Sequence, residues 1–590
     1  MTLVTALSSS WMGEVPGTGH PRRYGPAPSR SGAGGPVAGG RRAGLPSSAR
    51  AAAGRAASRS TSHLEVPVSD VRVRFCPAPS GVLHVGSVRA ALYNWLHARG
   101  HDGAFVFRIE DTDAARATED SMRSMVEALA WVGLGWDEGP DPDDPLTAER
   151  GGHGPYRQSQ RTALYAAVAR RLEEAGHLYR DFRTAEELEA WREAARAGTG
   201  GGPPVVKAGE FRHSDDEVAR FGAEGRPSSL RLATPTDGEV VVDDLVRGEV
   251  RFDWAQISDP VLVRSDGSAT YPLANSVDDV AQGISLICRG EDLLSVTPRQ
   301  VLLHELLVAD GLLDDALAEV GFPAREASWD VPSSFAHLPM VVGMDRKKLS
   351  KRHGSVAIQE FARQGFLPET MRNYLALLGW SHPDGRERLT DDELVASFEL
   401  AGVGRSAAAF DVDKLTAFNG ERIRDLDADE LADRLLPFLD GTYGEAVTTL
   451  PPTDREREVV RGLVPLVQER MQRLDEIERY APPFLREHVE LDPTAVDKVF
   501  GKAGAPEAIE AAARVLADVD WDLAAIEAAL RDLPEELGIG FGKVAQPIRV
   551  AVTGSSVSPP LFESIELLDR EVVLARLAAA LPVARERAAG

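Results

Sequence analysis

The sequence predicts an α/β fold built on a parallel sheet, followed by a long helical region. Three observations carry this. Short alternating, β-branched stretches are each followed by a helical pattern. A His-x-Gly turn joins the first strand to the first helix, and from about Asp391 the pattern is almost wholly helical.

Residues 1–66 stand apart. They are rich in Gly, Ala, Ser, Pro and Arg, and Glu14 is the only acid before Glu65. Such a segment buries too little apolar surface to offset its ordering entropy, so it is expected to be a disordered, low-complexity leader. Its Arg- and Ser-rich, acid-poor character also fits a transit peptide, and a start codon set too far upstream is the third reading. The remainder of the 590-residue chain is long enough for several cores, and 43% hydrophobic with 27% charged residues is ordinary globular composition. No apolar run approaches the roughly 20 residues that span a bilayer. The nearest, "LLHELLVADGLL" (302–313), is broken by charges, so no membrane partner is expected. A net charge of −25 argues against indiscriminate nucleic-acid binding but leaves room for a local basic face. Two cysteines, Cys76 and Cys288, cannot make a disulfide framework or a four-cysteine metal site. A reducing cytoplasm fits, with no structural zinc.

"VRVRFC" (71–76) alternates as a strand. Val85, Val88, Leu92 and Leu96 then recur at helical spacing, with Gly100 where a C-cap belongs. "AFVFRIED" (104–111) predicts a second strand and "SMRSMVEALAWVGL" a second helix. Strand, helix, strand, helix is the Rossmann-type nucleotide-binding order, in which ligands sit at the carboxyl ends of the strands. That places Arg74, His84, Gly86 and Glu110 around one crevice. A helix N-terminus offers unpaired N–H groups and a positive dipole end to phosphate. Gly86 keeps that approach clear, and His84 can donate to phosphate oxygens as charge builds in a transition state.

Lysine is scarce, yet Lys347, Lys348 and Lys351 fall together in "GMDRKKLSKRHG", bracketed by Gly343 and Gly354. A mobile cationic loop of this kind could close over a triphosphate and stabilise departing pyrophosphate.

With these motifs the chain resembles bacterial glutamyl-tRNA synthetases, class I aminoacyl-tRNA synthetases. "RFCPAPSGVLHVGSVRAALYNWLHAR", "FRIEDTD", "LGWDEGP", "YPLANSVDD", "CRGEDLLSVTPRQ", "KKLSKRHG", "GFLPETMRNYLALLGW", "FDVDKLTAFNG" and "GKVAQPIRVAVTG" carry the likeness in order, from about Val71 to the C-terminus. The resemblance implies a catalytic domain split by an acceptor-end-binding insertion, followed by an α-helical anticodon-binding domain. The expected segments are 67–152 and 262–317 for the two Rossmann halves and 153–261 for the insertion. Residues 318–390 would form a stem-contact region with the KLSKR loop, and 391–590 the anticodon-binding domain.

By the same resemblance the protein activates L-glutamate with ATP and Mg²⁺, then transfers it to the 3′-terminal adenosine of tRNA-Glu. His84, Gly86 and Lys351 are implied to contact ATP, with Lys348 supporting catalysis. Arg74, Ala78, Glu110, Tyr271, Asn275 and Arg289 are implied to form the glutamate pocket. A guanidinium at Arg74 suits the substrate side chain and Glu110 suits its ammonium. Arg289 has an alternative partner in Glu291 or Asp292. Ala78 stands where the family usually has serine, and Leu293 where many relatives carry His or Trp. Asp181, Phe182 and Arg183 replace the cysteines that hold zinc in some members. Arg157, Arg161, Arg180 and Arg183 could meet tRNA phosphates or be plain helical surface charge. Gln468 and Arg470 are implied to bind tRNA. Gln468 occupies the position of an arginine that rejects the glutamine anticodon, which implies an enzyme that also charges tRNA-Gln. A cytoplasmic monomer is expected. A glutaminyl enzyme is disfavoured by "PAPSG" and the helical C-terminal half, and a shorter tRNA-base-modifying relative lacks an anticodon domain. A non-catalytic paralogue would be expected to lose His84 or Lys351, and a small nucleotidylyltransferase would lack the tRNA-binding parts.

Overall fold

The structure is a computed structural model that describes residues 71–79, 81–112, 118–198, 204–349 and 357–589. The expected leader, Ser350, Lys351 and Arg352 lie outside the described residues. The catalytic sheet starts with β1 (Arg72–Phe75), α1 (Val85–Gly100), β2 (Ala104–Phe107) and α2 (Glu119–Val132). β1 and β2 pair in parallel, Arg74 opposite Val106. Thr118 caps α2 by accepting the Ser121 N–H, and Gly133 ends it in the left-handed conformation at φ +80°. Gly100 is the last helical residue of α1 rather than its cap, and Asp102 takes the left-handed turn instead. A Cβ on Gly100 would sit 2.9 Å from the Val395 carbonyl oxygen, so close approach accounts for that glycine.

The chain continues through α3 (Thr162–Glu174), β3 (Leu178–Asp181), β4 (Ser229–Leu232), β5 (Glu239–Asp244), β6 (Gly248–Asp253) and β7 (Val261–Val263). β3, β4 and β7 make one antiparallel sheet. It returns through α4 (Tyr271–Ala281), β8 (Leu286–Gly290), α5 (Thr297–Val308) and β9 (Ser334–Leu338). β8 pairs with β9 in parallel, and β8 lies beside β1, where the Ser285 N–H donates to the Arg72 carbonyl at 2.9 Å.

Two parts of the 153–261 span pack with the nucleotide-binding half rather than as one insertion. The apolar face of α3 (Leu164, Val168, Leu172) shares a buried cluster with Leu273 and Val277 of α4 and Leu303 of α5. The β5–β6 hairpin joins β9, Asp244 opposite Phe335, and buries Val242 against Ile287 and Phe335. Residues 391–415 behave likewise. Leu394, Phe398, Phe410 and Leu415 belong to the buried cluster that contains β1, α1 and β2, and Ala408–Ala409 pairs with Val341–Val342. Helical periodicity identifies an apolar face but not the core it will cover. A separate helical core spans Leu431 to Ala584, with Leu367 and Ile423 docked on it. No helix among the described residues is long and apolar enough to cross a membrane.

Gly103 lies where β1 starts beside the turn into β2, and a Cβ there would meet the Val71 carbonyl oxygen at 2.3 Å. Gly103→Ala is expected to destabilise the protein by about 1–3 kcal/mol, read as a lower urea midpoint at unchanged slope.

Candidate active site

The turn after β1 is stiffened by Pro77 and Pro79 and enters α1 at His84, whose extended backbone makes it the N-cap. The His84 side chain makes no capping bond and the first turn holds no acid, which leaves leading N–H groups of the helix suited to an anion. The His84 side chain is exposed. Both ends of the lysine loop converge here. Val341 lies 3.9 Å from where a Gly86 side chain would begin, and Lys348 bridges back to Val342. On the far side Ala357 pairs with His84, and the Ile358 N–H donates to the Leu83 carbonyl at 3.0 Å. His84, Gly86 and the exposed Lys348 are thus brought together.

Behind this turn, α4 supplies the opposite wall. Tyr271, Asn275 and the pair Asp278–Asp279 recur at one-turn spacing, so a single helix face presents hydroxyl, amide and carboxylates to β1 and β2. Arg74 is 2% exposed and holds Asp279 through two bonds, Nε–Oδ1 at 3.1 Å and Nη2–Oδ2 at 3.3 Å. Its Nη2 also reaches Asn275 Oδ1 at 3.5 Å. Arg108 donates to Asp279 at 2.7 Å. Asp278 takes Arg161 at 2.6 Å, Tyr165 at 2.8 Å and Gln158 at 2.9 Å. Burial alone would raise the Asp279 pKa, but Arg74 and Arg108 hold it down at about 2.

Arg161 is therefore a buried structural partner, not a phosphate-facing cation. Arg157 likewise pairs with Asp111 at 3.2 Å, Arg180 with Glu173 at 2.6 Å, and Arg183 with Asp181 at 3.1 Å.

Glu110 continues from β2, its N–H donating to the Pro77 carbonyl at 3.0 Å. Its carboxylate accepts from Asn275 Nδ2, and the Cys76 thiol lies against it. Burial raises the Glu110 pKa to about 7, with Arg108 opposing, and burial pushes the Cys76 thiol up to about 12. Ala78 is exposed at the mouth of the turn. Arg289, at the carboxyl end of β8, donates to Tyr271 Oη at 3.4 Å, Thr297 Oγ1 at 2.9 Å and the Leu293 carbonyl at 3.3 Å. It does not take the alternative partner: Glu291 pairs with Arg247 and accepts the Met340 N–H at 2.8 Å. Arg74, Arg108 and Arg161 are matched by Asp278 and Asp279, whereas the bonds of buried Arg289 go to Tyr271, Thr297, Leu293 and His337 and to no carboxylate among the described residues, so Arg289 is the guanidinium left to favour an anionic guest.

The two residues implied for tRNA lie apart from this pocket. Gln468 Nε2 donates to the carbonyls of Ile423 and Leu426, both at 2.9 Å, closing the end of the helix Val412–Asp425. Arg470 is exposed and donates to the Ser558 carbonyl at 3.3 Å. Sequence reasoning passed over Cys76, Arg108, Asp278 and Asp279. The available signal for the two aspartates was a pair of adjacent acids in a helix with no other charged residue.

Comparison with known proteins agrees with this architecture. The family described as tRNA synthetases class I (E and Q), catalytic domain, matches residues 70–311 and 325–417, and that described as Anticodon binding domain matches 430–581. A glutamate–tRNA ligase of Saccharopolyspora erythraea is 44% identical over 518 residues, covering 87% of this chain and 97% of the relative. The chain belongs to the glutamate–tRNA ligase family. A second relative, from Kineococcus radiotolerans, is 44% identical over 524 residues and is covered to 96%. Among solved structures, a glutamate tRNA ligase from Elizabethkingia meningosepticum, in complex with its amino acid, is similar at a TM-score of 0.70 and 28% identity. The match covers 87% of this chain and 99% of that one. The catalytic match ends at 417, consistent with residues 391–415 packing on the catalytic core.

Because the folded state keeps Glu110 protonated up to about pH 7, it binds a proton there that the unfolded chain has already lost. Stability is therefore lost as pH rises through the interval from the unfolded value to about 7. Glu110→Gln is expected to raise the thermal midpoint of the free protein at pH 8 by at least about 2 °C relative to wild type, with the gain absent near pH 4, by calorimetry.

Proposed function

We infer that the protein is a glutamate–tRNA ligase that activates L-glutamate with ATP and passes it to the 3′-terminal adenosine of tRNA-Glu. The observation that carries the glutamate reading is the crevice beside α4, lined by Glu110 and by Arg289, whose bonds go to no carboxylate among the described residues. Arg289 and Arg74 suit the substrate side-chain carboxylate, with the Tyr271 hydroxyl and Asn275 amide fixing orientation. Glu110 suits the substrate ammonium, and Ala78 leaves that part of the rim without a hydroxyl. The α-carboxylate then attacks the α-phosphorus of ATP in line, forming the P–O bond as the bond to pyrophosphate breaks. His84 and the α1 N-terminus, kept open by Gly86, stabilise phosphate charge, while Lys348 and Lys351 accompany the leaving pyrophosphate. Positioning and charge neutralisation do most of this work, and no enzyme nucleophile takes part. Among the described residues no three His, Cys, Asp or Glu side chains converge as metal ligands, so magnesium would arrive on the phosphates of ATP as part of that substrate.

A second reading extends the enzyme to tRNA-Gln. It is supported by Gln468, which places no cation at its position and whose amide is occupied by the carbonyls of Ile423 and Leu426. Arg470 beside it is the exposed cation that suits tRNA.

The test is charging of radiolabelled glutamate onto tRNA-Glu and tRNA-Gln transcripts separately. Both are expected to be charged. Lys351→Ala is expected to lower kcat at least about 100-fold on each, and Gln468→Arg to lower charging of tRNA-Gln selectively. Charging of neither by the wild type would sink the reading. Charging of tRNA-Glu alone would remove only the extension. A pH series adds an independent check. Binding an ammonium requires ionised Glu110, so KM for glutamate is expected to rise about tenfold per pH unit below about 7. A flat profile in wild type would exclude Glu110 as the ammonium partner.

A further inference from the structure

His337 on β9 is fully buried, and so is Asp244 at the end of β5. Their side chains meet with His337 Nδ1 2.6 Å from Asp244 Oδ2. The other ring nitrogen, Nε2, lies 3.1 Å from Arg289 Nε and 3.1 Å from Thr297 Oγ1. A guanidinium has only donors, so Nε2 must accept from Arg289, and the ring proton must sit on Nδ1 and be donated to Asp244. Asp244 is itself fixed by the backbone N–H groups of Val246 at 3.0 Å and Arg247 at 2.7 Å. The chain Asp244–His337–Arg289–Tyr271 therefore runs from a hairpin outside the nucleotide-binding repeat to the wall of the pocket.

We propose that His337, oriented by Asp244, is a positioning residue that fixes the Arg289 guanidinium plane against the side-chain carboxylate of glutamate. This rests on the reading that Arg289 lines the glutamate pocket. Tyr271, Thr297 and Leu293 hold the two terminal nitrogens, and His337 alone among the described residues holds Nε. Without that acceptor a buried N–H loses its partner, and the guanidinium can tilt about its remaining bonds. A tilted fork would still attract an anion, but it would lose the in-plane geometry that favours a carboxylate. The neutral ring is what this role needs. Burial lowers the His337 pKa, as does the Arg289 charge, against the opposing pull of Asp244.

The experiment measures KM for glutamate, KM for ATP and kcat in aminoacylation of tRNA-Glu by the full chain carrying His337→Leu, His337→Gln or Arg289→Lys. His337→Leu is expected to raise KM for glutamate roughly tenfold while KM for ATP stays within about twofold. His337→Gln should recover most of the loss, because its amide oxygen can accept the Arg289 Nε–H. A glutamate KM unchanged in His337→Leu, or raised equally in the leucine and glutamine variants, overturns the proposal. If Arg289→Lys raises the glutamate KM while His337→Leu does not, the relay alone falls. If Arg289→Lys leaves it unchanged, the pocket reading falls and takes the relay with it. Should His337→Leu fail to fold, Thr297→Val removes a hydroxyl bonded to both partners. It should raise the same KM by a smaller factor, and an unchanged value counts against the relay.

Discussion

The buried meeting of Asp278 and Asp279 with Arg74, Arg108 and Arg161 is the constraint on which the site depends. Ions removed from water are tolerated only when each has partners of opposite sign and fitting geometry, and removing one partner typically costs about 3–5 kcal/mol. Here one helix supplies both acids, while the arginines come from β1, the end of β2 and the start of α3. The network therefore clamps α4 to three elements at once. Asn275 and Tyr271 lie one and two turns before the acids on the same helix, so their aim at the pocket follows from the clamp.

The same network sets the electrostatics. Asp279 remains ionised in the interior because two guanidiniums surround it, whereas nearby Glu110 lacks comparable compensation and is pushed up to about 7. Two carboxyls in one cavity are thereby separated into a structural anion and a group that titrates near neutrality. The Glu110 arrangement opposes the free protein's stability above its unfolded pKa, a cost familiar where sites are kept ready for charged guests.

Much of this was legible in the linear chain. The alternation of 71–76 and 104–111 marked the strands, and the His-x-Gly turn and the lysines drew attention to His84, Gly86 and Lys348, which the fold brings together, because these signals are local. The Arg74–Asp279 pair spans 205 positions and His337–Asp244 spans 93. No periodicity links such residues, so the bond of Arg74 to Asp279 was not visible and Arg161 could be read as a surface charge. Gln468 shows the converse limit. Its position in a motif suggested recognition, while its amide closes the carbonyl end of a neighbouring helix, a role visible only once that helix is placed. The helix Asp391–Ser397 had a clear apolar face, but which of two cores it would cover depended on the short strand at Ala408–Ala409.

The β5–β6 hairpin gives the chain an uneven modularity. Its flanking sheet of β3, β4 and β7 belongs to the inserted span, yet the hairpin lends Asp244 to the catalytic sheet and Val242 to its core. An exchange of the inserted segment between related enzymes, cut at its apparent ends, would remove a strand partner from β9 along with the β3–β4–β7 sheet. β7 follows the hairpin in the chain yet pairs with β4, so no single cut separates the inserted sheet from the hairpin.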